Sequence, residues 1–150
     1  MTQLRTNAAW VSATPALDTN VYHLNDTMSA VFEFKDVLAQ GNGLGVVETF
    51  MAHDSSGTPV AFELWLFSES VTPAAIHAAH SISDADALKC IGVITSGTFY
   101  ASALNDLALN KDVNLTFTAP TTSIFGLLVS RGTGTYGATD LTIHLLIRQG

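Results

Sequence analysis

Five histidines, paired carboxylates and one cysteine are the residues here whose types and spacing could do chemistry. His77-Ala-Ala-His80 would set two imidazoles on one face of a helix, the spacing of two metal ligands. A site needs a third ligand and neither neighbour supplies one. His23, His53 and His144 stand apart in the chain with nothing to say that they converge, so all five read as loop or surface histidines. Asp84 and Asp86 invite a calcium reading, but hard-cation loops use a longer oxygen series than Asp-x-Asp. Acids in the first turn of a helix explain them more simply. Glu48 and Glu63, expected on adjacent strands, are the pair to test for glycoside hydrolysis. The chain has no Gly-x-Ser-x-Gly frame and no phosphate loop, and Gly41, Gly43 and Gly45 fall between strands rather than ahead of a helix. Cys90 lies in the apolar run Cys90-Ile-Gly-Val-Ile94 and reads as a buried, inert thiol, with an intermolecular disulfide as the alternative. The sequence therefore predicts no catalytic residue, no cofactor and no metal site: not an enzyme.

The elements that carry these residues are short strands. Leu141, Ile143, Leu145 and Ile147 alternate with Thr142, His144, Leu146 and Arg148, the period-two pattern of a half-buried strand. Residues 123–130 are apolar on both faces, as in a strand covered on two sides. Joined by the Gly- and Thr-rich connection 131–140, the two segments read as a closing hairpin. Further strands are expected over 27–35, 46–53, 60–68, 90–100 and 113–118. Asp54-Ser-Ser-Gly57 with Pro59 has the turn chemistry to send the 46–53 strand back as a hairpin. In 60–68, Glu63, Trp65 and Phe67 share the face opposite Phe62, Leu64 and Leu66, and two large aromatics on an outer face are seldom left to water. Ser83-Asp-Ala-Asp86 predicts one turn of helix over 84–89. Residues 1–20 show no sustained period, contain Pro15 and offer one large anchor, Trp10, so they read as an irregular N-terminal arm. Residues 21–150 then form a single all-β domain, an antiparallel β-sandwich of the jelly-roll kind.

A 150-residue chain suits one domain and buries roughly 70% of its unfolded surface without a staple. Only 13% of residues are charged against 47% hydrophobic, with a mean hydropathy of +0.31; soluble domains carry about 25% charged residues. That imbalance predicts extra buried surface in a homo-oligomer or larger assembly. No run approaches the roughly 20 apolar residues of a membrane-spanning helix. The net charge is -7, and Arg5, Lys35, Lys89, Lys111, Arg131 and Arg148 are scattered singly, which disfavours nucleic acid as a partner. The first ten residues lack the pattern of a secretory signal, which predicts synthesis and use without export by that route.

Three stretches carry a resemblance. Leu127-Leu-Val-Ser-Arg-Gly-Thr-Gly-Thr-Tyr136 followed by Asp140-Leu-Thr-Ile143 resembles the closing strand, Arg-Gly-Thr turn, Thr-Tyr pair and Asp-Leu-Thr strand start of a family of small phage virion proteins. Several of these are capsid cement or decoration proteins. Glu63-Leu-Trp-Leu-Phe67 is similar to a family strand ending in Leu-x-Leu-Phe, and residues 82–94 resemble its Asp-Ala-Asp segment leading into a Gly-Val-Ile strand. The chain departs from the family at Ile76-His-Ala-Ala-His-Ser-Ile82, and in having Gly134 where Pro is commoner.

The resemblance implies a jelly-roll cement protein, a trimer on the exterior of an icosahedral phage head, with the major capsid protein as partner and the virion as its location after synthesis in the host cytoplasm. A tail- or fibre-associated virion protein is the runner-up, and a lectin-like carbohydrate-binding module the third class. Trp10, Trp65 and Phe67 are the candidate interface anchors, with ordinary core as the alternative for Trp65.

Overall fold

A computed structural model describes residues 7–150. Its elements are β1 (Ala8–Ala13), β2 (Phe32–Phe34), β3 (Leu44–Asp54), β4 (Phe62–Phe67), α1 (Asp84–Ala87), β5 (Cys90–Thr95), β6 (Tyr100–Ala101), β7 (Asp106–Asn110), β8 (Leu115–Thr118), β9 (Ile124–Ser130) and β10 (Leu141–Gln149). One sheet runs β1-β10-β3-β7-β6, with β8 sharing the β7 edge of β3; the other runs β2-β9-β4-β5.

The pairing defines a jelly roll. β1 pairs with β10, β2 with β9, β3 with β7 and β4 with β5, all antiparallel, so the chain is a folded ribbon whose successive pairs alternate between sheets. The β10–β3 and β9–β4 ladders then close each sheet across the ribbon. The fold class expected from the sequence is thus the one observed.

Two expected hairpins are not hairpins. β3 and β4 lie in different sheets, as do β9 and β10. The turn at 54–61 and the connection 131–140 cross from one sheet to the other, because turn residues fix a local reversal but not the plane in which the chain leaves it. The arm expected over 1–20 lies outside the described residues up to residue 6, and in its described part the reading changes: Ala8–Ala13 are a strand, hydrogen-bonded along β10 from Ala8↔Arg148 to Ala13↔Ile143. Small residues hide its alternation, yet Val11 and Ala13 turn inward onto the core while Trp10 and Ser12 face out. Conversely, the strand expected over 27–35 shrinks to Phe32–Phe34, with Thr27 joined to Val129 by an isolated bridge.

The main core fills the space between the sheets with the alternating faces predicted for 62–66 and 141–147: Phe62, Leu64, Leu66, Leu141, Ile143, Leu145 and Ile147 are all buried. Phe50 from one sheet meets Phe62 from the other edge-on, ring centroids 6.2 Å apart. Each such side chain contributes about 1.5–3 kcal/mol on burial.

Candidate functional site

The two sheets treat their outer faces differently. On β2-β9-β4-β5 the chain covers its own face: residues 71–82 fold back over it and are tied to the segment 25–27, which runs beside β9 through the Thr27↔Val129 bridge, by the Asp26↔Ala79 bridge and by backbone N–H donation from His80 to Asn25 at 2.8 Å. Beneath them Phe67, Val71 and Leu127 form a second small core, edged by Val31, Trp65, Ile82 and Phe125.

This corrects the reading of Phe67 as an interface anchor. Phe67 is fully buried within one chain. Trp65 is half-buried, its ring 4.5 Å from His80 and its Nε1 donating to Glu63 Oε2 at 3.1 Å. The apolar outer face is covered as expected, but by the β4–β5 connection rather than by a partner.

Among the described residues, none folds over the other sheet in that way. Strand alternation puts Trp10, Leu146, Met51, Leu109, Leu107 and Tyr100 on its outer face, where the register sets Trp10 beside Leu146, His144 beside Met51, and Leu107 between His53 and Tyr100. Trp10 is 53% exposed and Tyr100 67%. His144 sits among them with its pKa lowered, first by partial burial and then by the nearby His53, which favours its uncharged form. The charges at this end of the face, Arg148 and Glu48, neutralise each other at 2.5 Å. The result is a face on which apolar side chains, Trp10, Leu146, Met51, Leu107, Leu109 and Tyr100, are interspersed with the polar Ser12, Thr142, His53 and His144. Trp10 alone of the three candidate anchors stands on it; Met51, Leu107, Leu109 and Tyr100 were missed. Their signal, an apolar outward set on strands whose inward set is also apolar, shows only once β7 is recognised.

The groups that could have done chemistry are dispersed. Glu48 and Glu63 lie on different sheets, and each is held by an arginine. Arg131 grips Glu63 through Nε and through Nη2 at 2.9 Å, and this holds the Glu63 pKa below the usual carboxylate value, against a smaller opposing effect of burial. An anchored carboxylate of that kind is no general acid, so the glycosidase pair is not assembled. His77 and His80 are on irregular backbone rather than a helix: His77 stacks on Tyr22 at 4.7 Å, with Nε2 3.4 Å from Asp18, while His80 turns to Trp65. Asp84 and Asp86 open α1, where Ser83 Oγ accepts from Asp86 N–H at 3.1 Å and Asp86 takes Lys89 Nζ at 2.9 Å. Cys90 is half-buried, and burial pushes its thiol pKa up, away from the reactive thiolate. Among the described residues no three His, Cys, Asp or Glu side chains meet in metal-binding geometry, and no helix is long and apolar enough to cross a membrane.

Gly134 has a structural reason. Its N–H donates to Tyr22 C=O at 3.1 Å and its C=O accepts from Tyr22 N–H at 2.8 Å, which a proline could not do in full. A Cβ there would also meet Val60 at 2.3 Å.

No protein-family model matches the sequence, and no curated protein does. Among solved structures the chain is similar to one from tomato aspermy virus, with a TM-score of 0.40 and 10% identity over 99% of this chain and 80% of that one. It is also similar to a chain of Desmodium yellow mottle tymovirus, with a TM-score of 0.29 and 11% identity over 99% and 84%. A third is a chain in the acid-stable capsid of Helicobacter pylori bacteriophage KHP30, with a TM-score of 0.30 and 12% identity over 98% and 90%. The jelly-roll assignment rests on the strand pairing of this chain and not on these likenesses.

Proposed function

We propose that this chain is a virion structural protein, a decoration or cement protein that assembles as a trimer on the outside of a phage head and stabilises it. The observation that carries the reading is the face around Trp10, rich in apolar side chains and covered by no described segment, on a domain that already covers its other sheet from within. Apolar side chains on such a face are where chains of net charge -7 approach one another, or an acidic shell, with least repulsion. The motif resemblance at 127–143, 63–67 and 82–94 supplies the kind of assembly. Binding that only the assembled shell can collect stabilises that shell by linkage, and three copies at a lattice three-fold act together through effective concentration.

The test is to add purified protein to heads that lack it and image them by electron microscopy. Regular density on the outer faces is the expected result. Labelling confined to the tail would replace the reading with a tail or fibre component, and no labelling together with glycan binding would replace it with a lectin.

A further inference from the structure

Two aspartates face each other across β3 and β7. Asp54 and Asp106 are register partners, two positions along from the buried pair Ala52 and Ala108, so alternation puts both carboxylates on the inner face. Asp54 is completely buried and Asp106 is 5% exposed. Register partners hold their Cβ atoms about 4.5–5.5 Å apart, and like charges directly opposite destabilise a sheet. The ion pairs that Lys89, Arg131 and Arg148 make go elsewhere, to Asp86, Glu63 and Glu48.

One oxygen is left over. Asp54 Oδ1 accepts from Ser56 N–H at 2.7 Å, but Asp54 Oδ2 is buried and accepts from no group of the described residues. A buried carboxylate oxygen without a partner is costly and points to something that binds it. The neighbourhood is acidic as well. Asp140 precedes Leu141, the other register partner of Asp54, and its carboxylate is held by Gly137 N–H and by Ser55 Oγ at 3.3 Å. The Tyr136 phenol feels the whole group: burial raises its pKa first, and the charges of Asp54, Asp140 and Asp106 raise it further.

We propose that Asp54 and Asp106 bind a hard divalent cation of the calcium type, which bridges the two carboxylates and takes the unpartnered Asp54 oxygen. Calcium accepts six to eight oxygens at variable angles, so two carboxylates suffice where backbone carbonyls and water complete the shell. A site with only two anionic side chains binds weakly. Its effect is local: it clamps β7 to the end of β3, where the chain leaves for the other sheet. The site is separate from both spacings singled out in the sequence, His77/His80 and Asp84/Asp86.

Thermal unfolding of the full chain, compared in EDTA and in about 10 mM calcium, tests this, that concentration lying above the roughly 10⁻⁴–10⁻³ M range of weak calcium sites. The melting temperature should rise by a few degrees with calcium. Asp106→Asn, which keeps the shape and removes one charge, should abolish most of that rise, whereas Asp84→Asn on the exposed turn of α1 should leave it intact. Terbium emission excited through tyrosine reports binding in the unmodified protein, because Tyr136 adjoins the pair; it should appear on titration and be displaced by calcium. An identical melting temperature in EDTA and calcium overturns the proposal, as does an equal rise in Asp106→Asn. If Asp106→Asn fails to fold, the absence of calcium-displaceable terbium emission from the parent overturns it.

Discussion

Tyr136 spends both hydrogen bonds of its hydroxyl on one residue, accepting from Val60 N–H at 3.0 Å and donating to Val60 C=O at 3.1 Å. This ties the 131–140 crossover to the 54–61 crossover, so the two connections between sheets brace each other. Tyr136→Phe keeps the ring and leaves both buried backbone groups of Val60 unpaired. Leaving such groups unsatisfied costs about 1–3 kcal/mol each at most, so a loss of roughly 2 kcal/mol in chemical denaturation is expected. An unchanged unfolding midpoint would mean that water reaches Val60.

Gly134→Pro should destabilise by more than about 1 kcal/mol, because it removes the N–H that donates to Tyr22 and forces atoms onto Val60. The residue commoner in the resembling family is therefore the wrong one for this turn. A variant as stable as the parent, measured by the same unfolding curve, would show that the 22–134 bridge is dispensable.

Trp10→Ala and removal of residues 1–13 separate assembly from folding. Trp10 is more than half exposed, so its truncation should change domain stability by less than about 1 kcal/mol while shifting the protein toward monomer in light scattering. Removing residues 1–13 takes away β1, strips the β10 edge of its partner and should lower stability and promote aggregation. A parent that is monomeric at micromolar concentration would refute the assembly role of Trp10.

The pH dependence of stability has a definite sign. Burial lowers the His80 pKa below 6.5, with Arg131 adding to the effect and Glu63 opposing it. Arg131 lowers that of Glu63 below 4.5. Both folded-state values are depressed, so both contributions are complete above the unfolded values and are lost as pH falls through the folded ones. Stability should decline on acidification below 6.5 and again below 4.5. His80→Phe, which keeps a ring on Trp65, should shrink the first limb to the part that His144 carries, and Glu63→Gln should shrink the second, to which Asp18 and Asp86 also contribute. Denaturant midpoints measured across this range check both, and a profile unchanged in the two variants would assign the acid sensitivity to other groups.

Local pattern by itself determined a good deal of this protein. The alternation in 62–67 and 141–148 identified two central strands and which of their faces point inward, because a half-buried strand has only one periodicity available to it. Ser83 with Asp84 and Asp86 marked the start of α1, since a cap is a contact within a single turn. The count of short strands with almost no helix was enough for a sandwich.

Tertiary structure decided whatever depended on partners distant in the chain. Asp54-Ser-Ser-Gly57 has the chemistry of a turn whether the chain returns within its sheet or crosses to the other; only the competition for β3 by β7, β8 and β10 resolves it. In sequence Trp65 and Phe67 are aromatics at the outward positions of a strand, and Trp10 is the one large side chain of a segment without strand periodicity. Phe67 is buried because residues 71–82 fold back over β4 and β9, and Trp10 is exposed because the described chain leaves the outer face of β1 and β10 open. Asp54 and Asp106 are each unremarkable in the sequence. Their confrontation is set by the β3–β7 register, a long-range property that side-chain pattern does not encode.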